Sequence, residues 1–233
     1  MSVFASLVEQ LADLLQPLFG AAAAASAIVL FTALVRLLVH PLSRAAARGQ
    51  KARTALQPRI AELRRKHAKN PERLQRAVLE LHAEEKVSPL SGLLPSLCQL
   101  PAFFLLYHLF SSSSIGGASN ELLSHELFAA PLGDRWTDAL TGGGMFGAAG
   151  LVYLGLFAVV AAVASFNFVR AKRTPLPRPA AGPDVPGLGT VAKVMPFLSF
   201  FTLVTVAVVP LAAALYVITS TTWSAIERAF LYR

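Results

Sequence analysis

Long apolar runs separated by short polar segments dominate the chain, and this pattern predicts membrane-spanning helices. A helix needs about 20 mostly apolar residues to cross roughly 30 Å of hydrocarbon. Four runs reach or approach that length, and the last is long enough for two spans if the chain turns at its internal proline. The pattern therefore predicts an all-α, polytopic membrane protein with five transmembrane helices, at residues 19–39, 91–112, 146–169, 191–209 and 210–227.

Residues 1–18 follow a different pattern, that of an amphipathic helix. Glu9 and Asp13 lie off an apolar side formed by Val3, Leu7, Leu11, Leu14 and Leu15. A helix of this type lies along a membrane interface, here the outer one, and does not cross the bilayer. The same residues contain no Lys or Arg. A cleavable secretory signal begins with a basic region, so none is predicted.

Residues 40–90 carry two helical patterns, each with a narrow apolar seam. Asn70 suits the N-cap of the second helix and Pro71 its first position. Pro58 interrupts or restarts the first helix, and Pro89 ends the segment. We therefore expect a helical hairpin, with seams at i, i+4 and i+7 formed by Leu56, Ile60 and Leu63 and by Leu74, Val78 and Leu81.

Charge is distributed unevenly along the chain, which has 21 Lys and Arg against 13 Asp and Glu and a net charge of +8. Twelve basic residues lie in residues 40–90 and four in the loop at 170–190, whereas the loop at 113–145 has only Arg135. Short loops rich in Lys and Arg stay on the cytoplasmic side. We therefore expect the N terminus outside and the tail, residues 228–233, in the cytoplasm.

The basic side of the hairpin has two interpretations. It is either a solvated face beside anionic lipid headgroups, which attract each nearby Lys or Arg by roughly 1 kcal/mol, or a docking surface for nascent chains or targeting factors. The ordered hairpin modestly favours docking. Aromatic residues do not interleave the basic ones, so specific nucleic-acid binding is not expected. The candidate docking residues are Arg59, Arg64, Arg65, Lys66, Lys69 and Arg73.

Arg36 lies within the first predicted span. An arginine at the centre of a transmembrane helix costs roughly 2.5–3.5 kcal/mol, so it is a functional candidate by default. It also lies only five residues before Pro41, about 7.5 Å of helix rise, and could snorkel to the interface. Small polar residues of the other spans either join helices or, together with Arg36, line a water-filled cavity open to the cytoplasm: Ser96, Gln99, Asn167, Thr202, Thr219 and Ser220.

Motifs for catalysis, phosphate binding or metal binding are missing from the sequence. The five histidines are scattered along the chain, and Cys98 is the only cysteine. We therefore expect neither an enzyme nor a bound cofactor or metal.

Three blocks resemble the YidC insertases and their mitochondrial Oxa and chloroplast Alb relatives. Together they follow the family's order from about residue 30 to residue 230. The chain departs from the family pattern at Val217, usually Trp, at Thr221, usually Asn, and at Asn167, often Gln. The blocks are Arg36 with Pro41-Leu42, the segment from Leu56-Gln57-Pro58 to Tyr107 with Asn70-Pro71 and Pro101, and Met195-Pro196-Phe197 with Leu215 to Ser220.

The resemblance implies a minimal insertase core in a bacterial plasma membrane, with nascent membrane proteins as substrates. Its cytoplasm-facing hydrophilic groove would accept a polar or acidic substrate segment and release the apolar helix sideways into lipid. Further candidate partners are the Sec translocon, the signal recognition particle pathway and the ribosome. The alternative from another class is a small transporter or channel in which Arg36 attracts anions.

Overall fold

The computed structural model describes residues 2–87, 94–173 and 195–231. These ranges are mostly α-helical. A 3-10 turn at Gly20–Ala22 joins α1 to α2, and a 3-10 segment at Met195–Phe200 leads into α8. The helices are α1 (Ser2–Phe19), α2 (Ala23–Ala55), α3 (Gln57–Lys66), α4 (Pro71–Glu84), α5 (Leu94–Ser111), α6 (Trp136–Gly143), α7 (Ala148–Arg173), α8 (Phe201–Val208) and α9 (Leu211–Leu231).

Helices lie where the apolar runs predict them, although their ends differ. By length and hydropathy, the helical stretches Val3–Lys66 and Ala148–Arg173 can cross a membrane, and Pro196–Val208 is a shorter apolar helix. The first predicted span ends at residue 39, yet α2 continues through Pro41 to Ala55. The reason is that many of the following residues are good helix formers, chiefly Ala and Arg, so the helix continues beyond its apolar part.

Two further boundaries also differ from the predicted ones. The loop predicted at 170–190 is helical as far as Arg173, because α7 extends beyond its apolar part, and residues 174–190 lie outside the described ranges. The tail predicted at 228–233 is helical to Leu231. The turn between the fourth and fifth predicted spans does lie at Val209-Pro210, between α8 and α9.

Helices α3 and α4 pack against each other as an antiparallel pair. Pro58 stands in the first turn of α3 and therefore restarts the helix. The side chain of Asn70 caps α4 by accepting a hydrogen bond of 3.0 Å from the backbone N–H of Arg73. The two helices bury a shared apolar seam that consists of Leu56, Ile60, Leu74, Val78 and Leu81, with Leu63 packed against it.

The segment predicted as a loop at 113–145 has considerable local structure. Ser114–Ile115 pairs with Ala118–Ser119, and Glu126–Leu127 pairs with Ala130–Pro131, in two short antiparallel ladders. Asn120 donates hydrogen bonds to the carbonyls of Leu109 and Ser112, at 2.9 and 3.0 Å. These carbonyls lie at the end of α5, where backbone acceptors lack partners within the helix. The loop is therefore fastened to α5.

The same segment caps α9. The backbone N–H of Leu211 donates to the carbonyl of Asp134 at 2.8 Å, and that of Ala212 donates to the carbonyl of Leu132 at 2.9 Å. The first N–H groups of a helix lack intrahelical acceptors, so these bonds satisfy donors that would otherwise be unpaired. The hydroxyl of Tyr153 in α7 also donates to the Asp134 carbonyl, at 2.6 Å. One loop carbonyl thus joins two helices.

The apolar core lies next to this loop and surrounds the first half of α9. Residues 211–218 are all buried, and α9 contacts α2, α5, α7 and α8. Tyr216 is held between the rings of Phe103 and Phe110, with centroids 5.9 and 6.0 Å away. The second half of α9 is more exposed and more polar, which places any polar site at that end.

Gly150 allows close backbone contact at the start of α7. A Cβ there would lie 2.4 Å from the carbonyl oxygen of Met145 and 2.5 Å from that of Gly144. Because backbone must move to admit it, we expect Gly150→Ala to lower the free energy of unfolding by roughly 1–3 kcal/mol. Gly155→Ala, in the same helix with no atom within 4 Å, is the matched control and should stabilise slightly. Thermal unfolding followed by circular dichroism in detergent measures both, and equal midpoints would contradict the expectation.

Candidate functional site

Three helices run in the same direction and bring polar residues to one end of the bundle. The Asp134 carbonyl binds both Tyr153 in α7 and Leu211 in α9, so these positions lie at the same level. In α2 and α9, Arg36 pairs with Ser220 and His40 with Glu227. Both numbers of each pair increase together, so the two helices are parallel.

Helix α7 runs in the same direction as α9. Phe168, near the end of α7, contacts the rings of Phe197 and Phe200, which come just before α8. Helix α8 leads from there to the turn at Val209-Pro210, where α9 begins. The end of α7 therefore lies far from that turn.

At a rise of 1.5 Å per residue, Ser220 lies about 13 Å beyond Leu211, and Glu227 about 24 Å. By the same count, Asn167 lies about 21 Å beyond Tyr153. The polar residues of the three helices therefore occupy one layer, which extends from the middle of the bundle toward the end far from the capping loop. We call this layer the polar band; it consists of Arg36, His40, Asn167, Ser220, Thr222, Trp223 and Glu227.

Arg36 is directed at the neighbouring helix α9. Its guanidinium donates a hydrogen bond to the hydroxyl of Ser220, and the side chain is half-buried. The sequence alone left open whether Arg36 snorkels or faces other helices. The hydrogen bond to Ser220 places its guanidinium against α9.

His40 and Glu227 form a second link between α2 and α9. Nδ1 of His40 lies 2.5 Å from a carboxylate oxygen of Glu227. The side chain of His40 is 34% exposed and that of Glu227 only 11%. A carboxylate with so little access to water needs a partner that compensates for its lost hydration, and His40 supplies one.

Three polar atoms of the polar band, one on α7 and two on α9, have no partners within the part of the chain that the structure describes. The buried Oδ1 of Asn167, Oγ1 of Thr222 and Nε1 of Trp223 have no hydrogen-bond partner among the described residues. Such atoms are costly in a dry, apolar environment. The band therefore has the chemistry of a site that holds water or binds polar groups of a ligand.

The other predicted site residues are distributed as follows. Thr219 donates to the carbonyl of Leu215 in its own helix at 2.8 Å, so its hydroxyl is already used. Thr202 is half-buried near the start of α8, about 12 Å from the turn at Pro210 and so at the depth of Ser220. Ser96 and Gln99 belong to α5, but their side chains lie outside what the structure describes.

The predicted docking residues lie on α3, on α4 and in the turn between them. Arg59 forms an ion pair with Glu85, so part of its charge is compensated. Arg64 is half-buried, and the other exposed residues of this set are Arg65, Lys66, Lys69 and Arg73. These four cations lie near the tip of the hairpin.

Sequence reasoning missed three members of the polar band and noted Thr222 only as one of several small polar residues of the last span. His40 and Glu227 become partners only through the packing of α2 on α9, and Trp223 became a candidate only because its Nε1 is buried without a partner among the described residues. One signal was available for Glu227. It is the only acidic residue in the five predicted spans, and intramembrane charges are functional candidates.

Residues 14–233 match the family model described as 60Kd inner membrane protein. The chain belongs to this family, which is the YidC/Oxa/Alb family. The match confirms the resemblance seen in the three sequence blocks, and it identifies the chain as a membrane protein of this family.

Individual relatives match a shorter part of the chain. A protein named membrane protein insertase YidC from Clostridium perfringens is 43% identical over 84 residues, which are 36% of this chain and 35% of the relative. Proteins of the same name from Chlorobium limicola and Polynucleobacter asymbioticus are 38% and 37% identical, over 37% and 43% of this chain. The matched stretches cover only 15% and 18% of those two relatives.

Proposed function

We propose that the chain is a membrane protein insertase, in which the polar band lines a groove open to the cytoplasm. The observation that carries the proposal is the concentration of polar groups from α2, α7 and α9 at one end of an otherwise apolar bundle. Membership of the YidC/Oxa/Alb family supports the same function. The substrates are nascent membrane proteins, and the surrounding solvent is the lipid bilayer.

The proposed mechanism needs no nucleotide, because moving an apolar helix from water into lipid lowers the free energy. The barrier comes from the polar segment that must cross with it. Hydrated groups at the depth of Asn167 and Thr222 would accept that segment and shorten its path through hydrocarbon. The apolar part of the substrate then leaves sideways into lipid.

Arg36 has an electrostatic role in this proposal. Its charge lies about 13 Å from the outer end of α9, near the middle of a layer roughly 30 Å thick. At that depth a cation attracts acidic segments much more strongly than it would in water. The bond to Ser220 holds the guanidinium toward the neighbouring helices, where a substrate can reach it.

An anion channel or transporter fits the bundle less well. A pore needs polar groups across both halves of the membrane, whereas the described core beside the capping loop is apolar. Its buried residues include Ala24, Ala27, Ile28, Leu109 and Leu211. Purified protein in liposomes should therefore insert a substrate without conducting chloride, and chloride flux without insertion would favour the transporter.

The direct test is site-specific photocrosslinking from the polar band. A photoreactive amino acid at Thr222 or Trp223 should capture a nascent membrane protein during insertion into proteoliposomes. The matched control is Val208, which is exposed on the apolar helix α8 and should crosslink mainly to lipid. Equal capture of the substrate from Val208 and from Thr222 would contradict a groove at the polar band.

The proposal includes a topology of five spans with the N terminus outside and the hairpin in the cytoplasm. We expect single cysteines at Ser119 and at Ala68, both exposed, to react with a membrane-impermeant reagent from opposite sides. The only native cysteine, Cys98, is first replaced by alanine. Labelling is measured in intact cells and again after permeabilisation. Reaction of both positions in intact cells would overturn this topology.

A further inference from the structure

Glu227 is the single acidic residue in the five predicted spans. Its carboxylate is 11% exposed and contacts His40, so it is held inside the bundle. A carboxylate with so little access to water is costly, and one retained among apolar helices marks a functional position by default. The question is what its charge does at this place.

The position of Glu227 relative to Arg36 suggests an answer. Arg36 on α2 bonds to Ser220 on α9, and Glu227 on α9 contacts His40 on α2. Glu227 lies seven residues beyond Ser220, about 10 Å further along the helix. In the proposed topology this direction leads to the cytoplasm. A substrate entering the groove from the cytoplasm therefore meets the carboxylate before it reaches the guanidinium.

We propose that Glu227 sets the charge selectivity of the groove by opposing the attraction that Arg36 exerts on acidic segments. Resting on the insertase function proposed above, this assigns a specificity role to a residue outside the groove set predicted from the sequence. The carboxylate repels an acidic segment directly and also reduces the positive potential around Arg36. His40 holds the carboxylate in place and limits the size of both effects.

A purely structural role would have a different signature. If the contact between His40 and Glu227 only fastened α2 to α9, its loss would impair insertion of every substrate to the same degree. A selectivity role changes the ratio between substrates of different charge. The ratio of acidic to neutral substrate inserted is therefore the informative measurement, because it cancels general losses of stability or amount.

The experiment uses the full chain in proteoliposomes and a single-spanning reporter in two versions. The translocated segment carries aspartates in one version and asparagines in the other, and insertion is measured as the protease-protected fraction. We expect Glu227→Gln to raise the acidic-to-neutral ratio by roughly threefold, as expected when one nearby, partly screened charge is removed. Glu227→Asp retains the charge and should keep the wild-type ratio.

A second variant should change the acidic-to-neutral ratio in the opposite direction. It makes the test independent of how well Glu227→Gln folds. Ser224 lies one turn beyond Ser220 on α9 and is half-buried, so Ser224→Asp adds a carboxylate near the same position. It should lower the ratio. Ratios unchanged by both substitutions, or the same ratio in Glu227→Gln and Glu227→Asp, would overturn the inference. A wild-type protein that fails to insert even the neutral reporter would instead contradict the insertase function.

Discussion

Replacing Arg36 with alanine is expected to reduce insertion of a substrate with an acidic translocated segment by roughly tenfold. That factor corresponds to a loss of about 1.4 kcal/mol of stabilisation along the insertion path, a modest value for a charge interaction away from bulk water. Arg36→Lys should retain part of the activity, because it keeps a cation near that depth. The lysine ammonium is a compact charge, whereas the arginine guanidinium is planar and carries several N–H donors. The hydrogen bond to Ser220 is therefore not fully reproduced.

The measurement compares acidic and neutral versions of one reporter at equal levels of insertase. Arg44→Ala is the matched control, since Arg44 is an exposed cation two turns further along the same helix. It should leave the acidic-to-neutral ratio unchanged. Wild-type insertion of both reporters by Arg36→Ala would rule out the electrostatic mechanism and return Arg36 to the role of an interfacial anchor.

A charge placed in the apolar seam between α3 and α4 should also strongly reduce substrate insertion. Val78 is 8% exposed between α3 and α4, and Val78→Asp places a charge in that seam. Burying an unpaired carboxylate costs several kcal/mol, more than such a small core can supply. We expect the hairpin to unfold while the spanning helices stay inserted, and reporter insertion to fall. Deletion of residues 56–81 should lower insertion to the same extent.

Leu79→Asp provides the control, because Leu79 is the next residue of α4 and is 55% exposed. The same change of chemistry there should leave the hairpin folded. Limited trypsin digestion at the basic hairpin residues reports folding, and reporter insertion gives the functional outcome. Full insertion by a Val78→Asp protein with a trypsin-sensitive hairpin would exclude the hairpin as a docking surface for nascent chains or targeting factors.

The helices and their turns could be predicted because their signals are local. Asn70 and Pro71 mark the start of α4 wherever the hairpin lies, and Val209-Pro210 divides the last apolar run whatever packs around it. Seam positions follow from the helical period in the same way. The predicted helix ends were less accurate, because hydropathy locates only the apolar part of a helix. Both α2 and α7 continue as polar helices beyond that part.

Contacts between distant segments could not be predicted in this way. The partners of Arg36 and His40 are more than 180 residues away in the sequence, and only the packing of α2 on α9 brings them together. Likewise, the carbonyls of Leu132 and Asp134 carry no sequence signal, since every residue has one. Their role as caps of α9 depends on the path of the loop.

Those caps have a mechanical consequence for the bundle. With Leu211 and Tyr153 both bonded to the carbonyl of Asp134, α7 and α9 share a pivot at the capped end, and displacement grows with distance from it. Over the 21 Å or so that separate Tyr153 from Asn167, a tilt of about 10° shifts the far end by about 4 Å. A small rotation at the apolar, capped end can therefore widen the opposite end of the bundle by the width of a side chain while the capping hydrogen bonds stay in place.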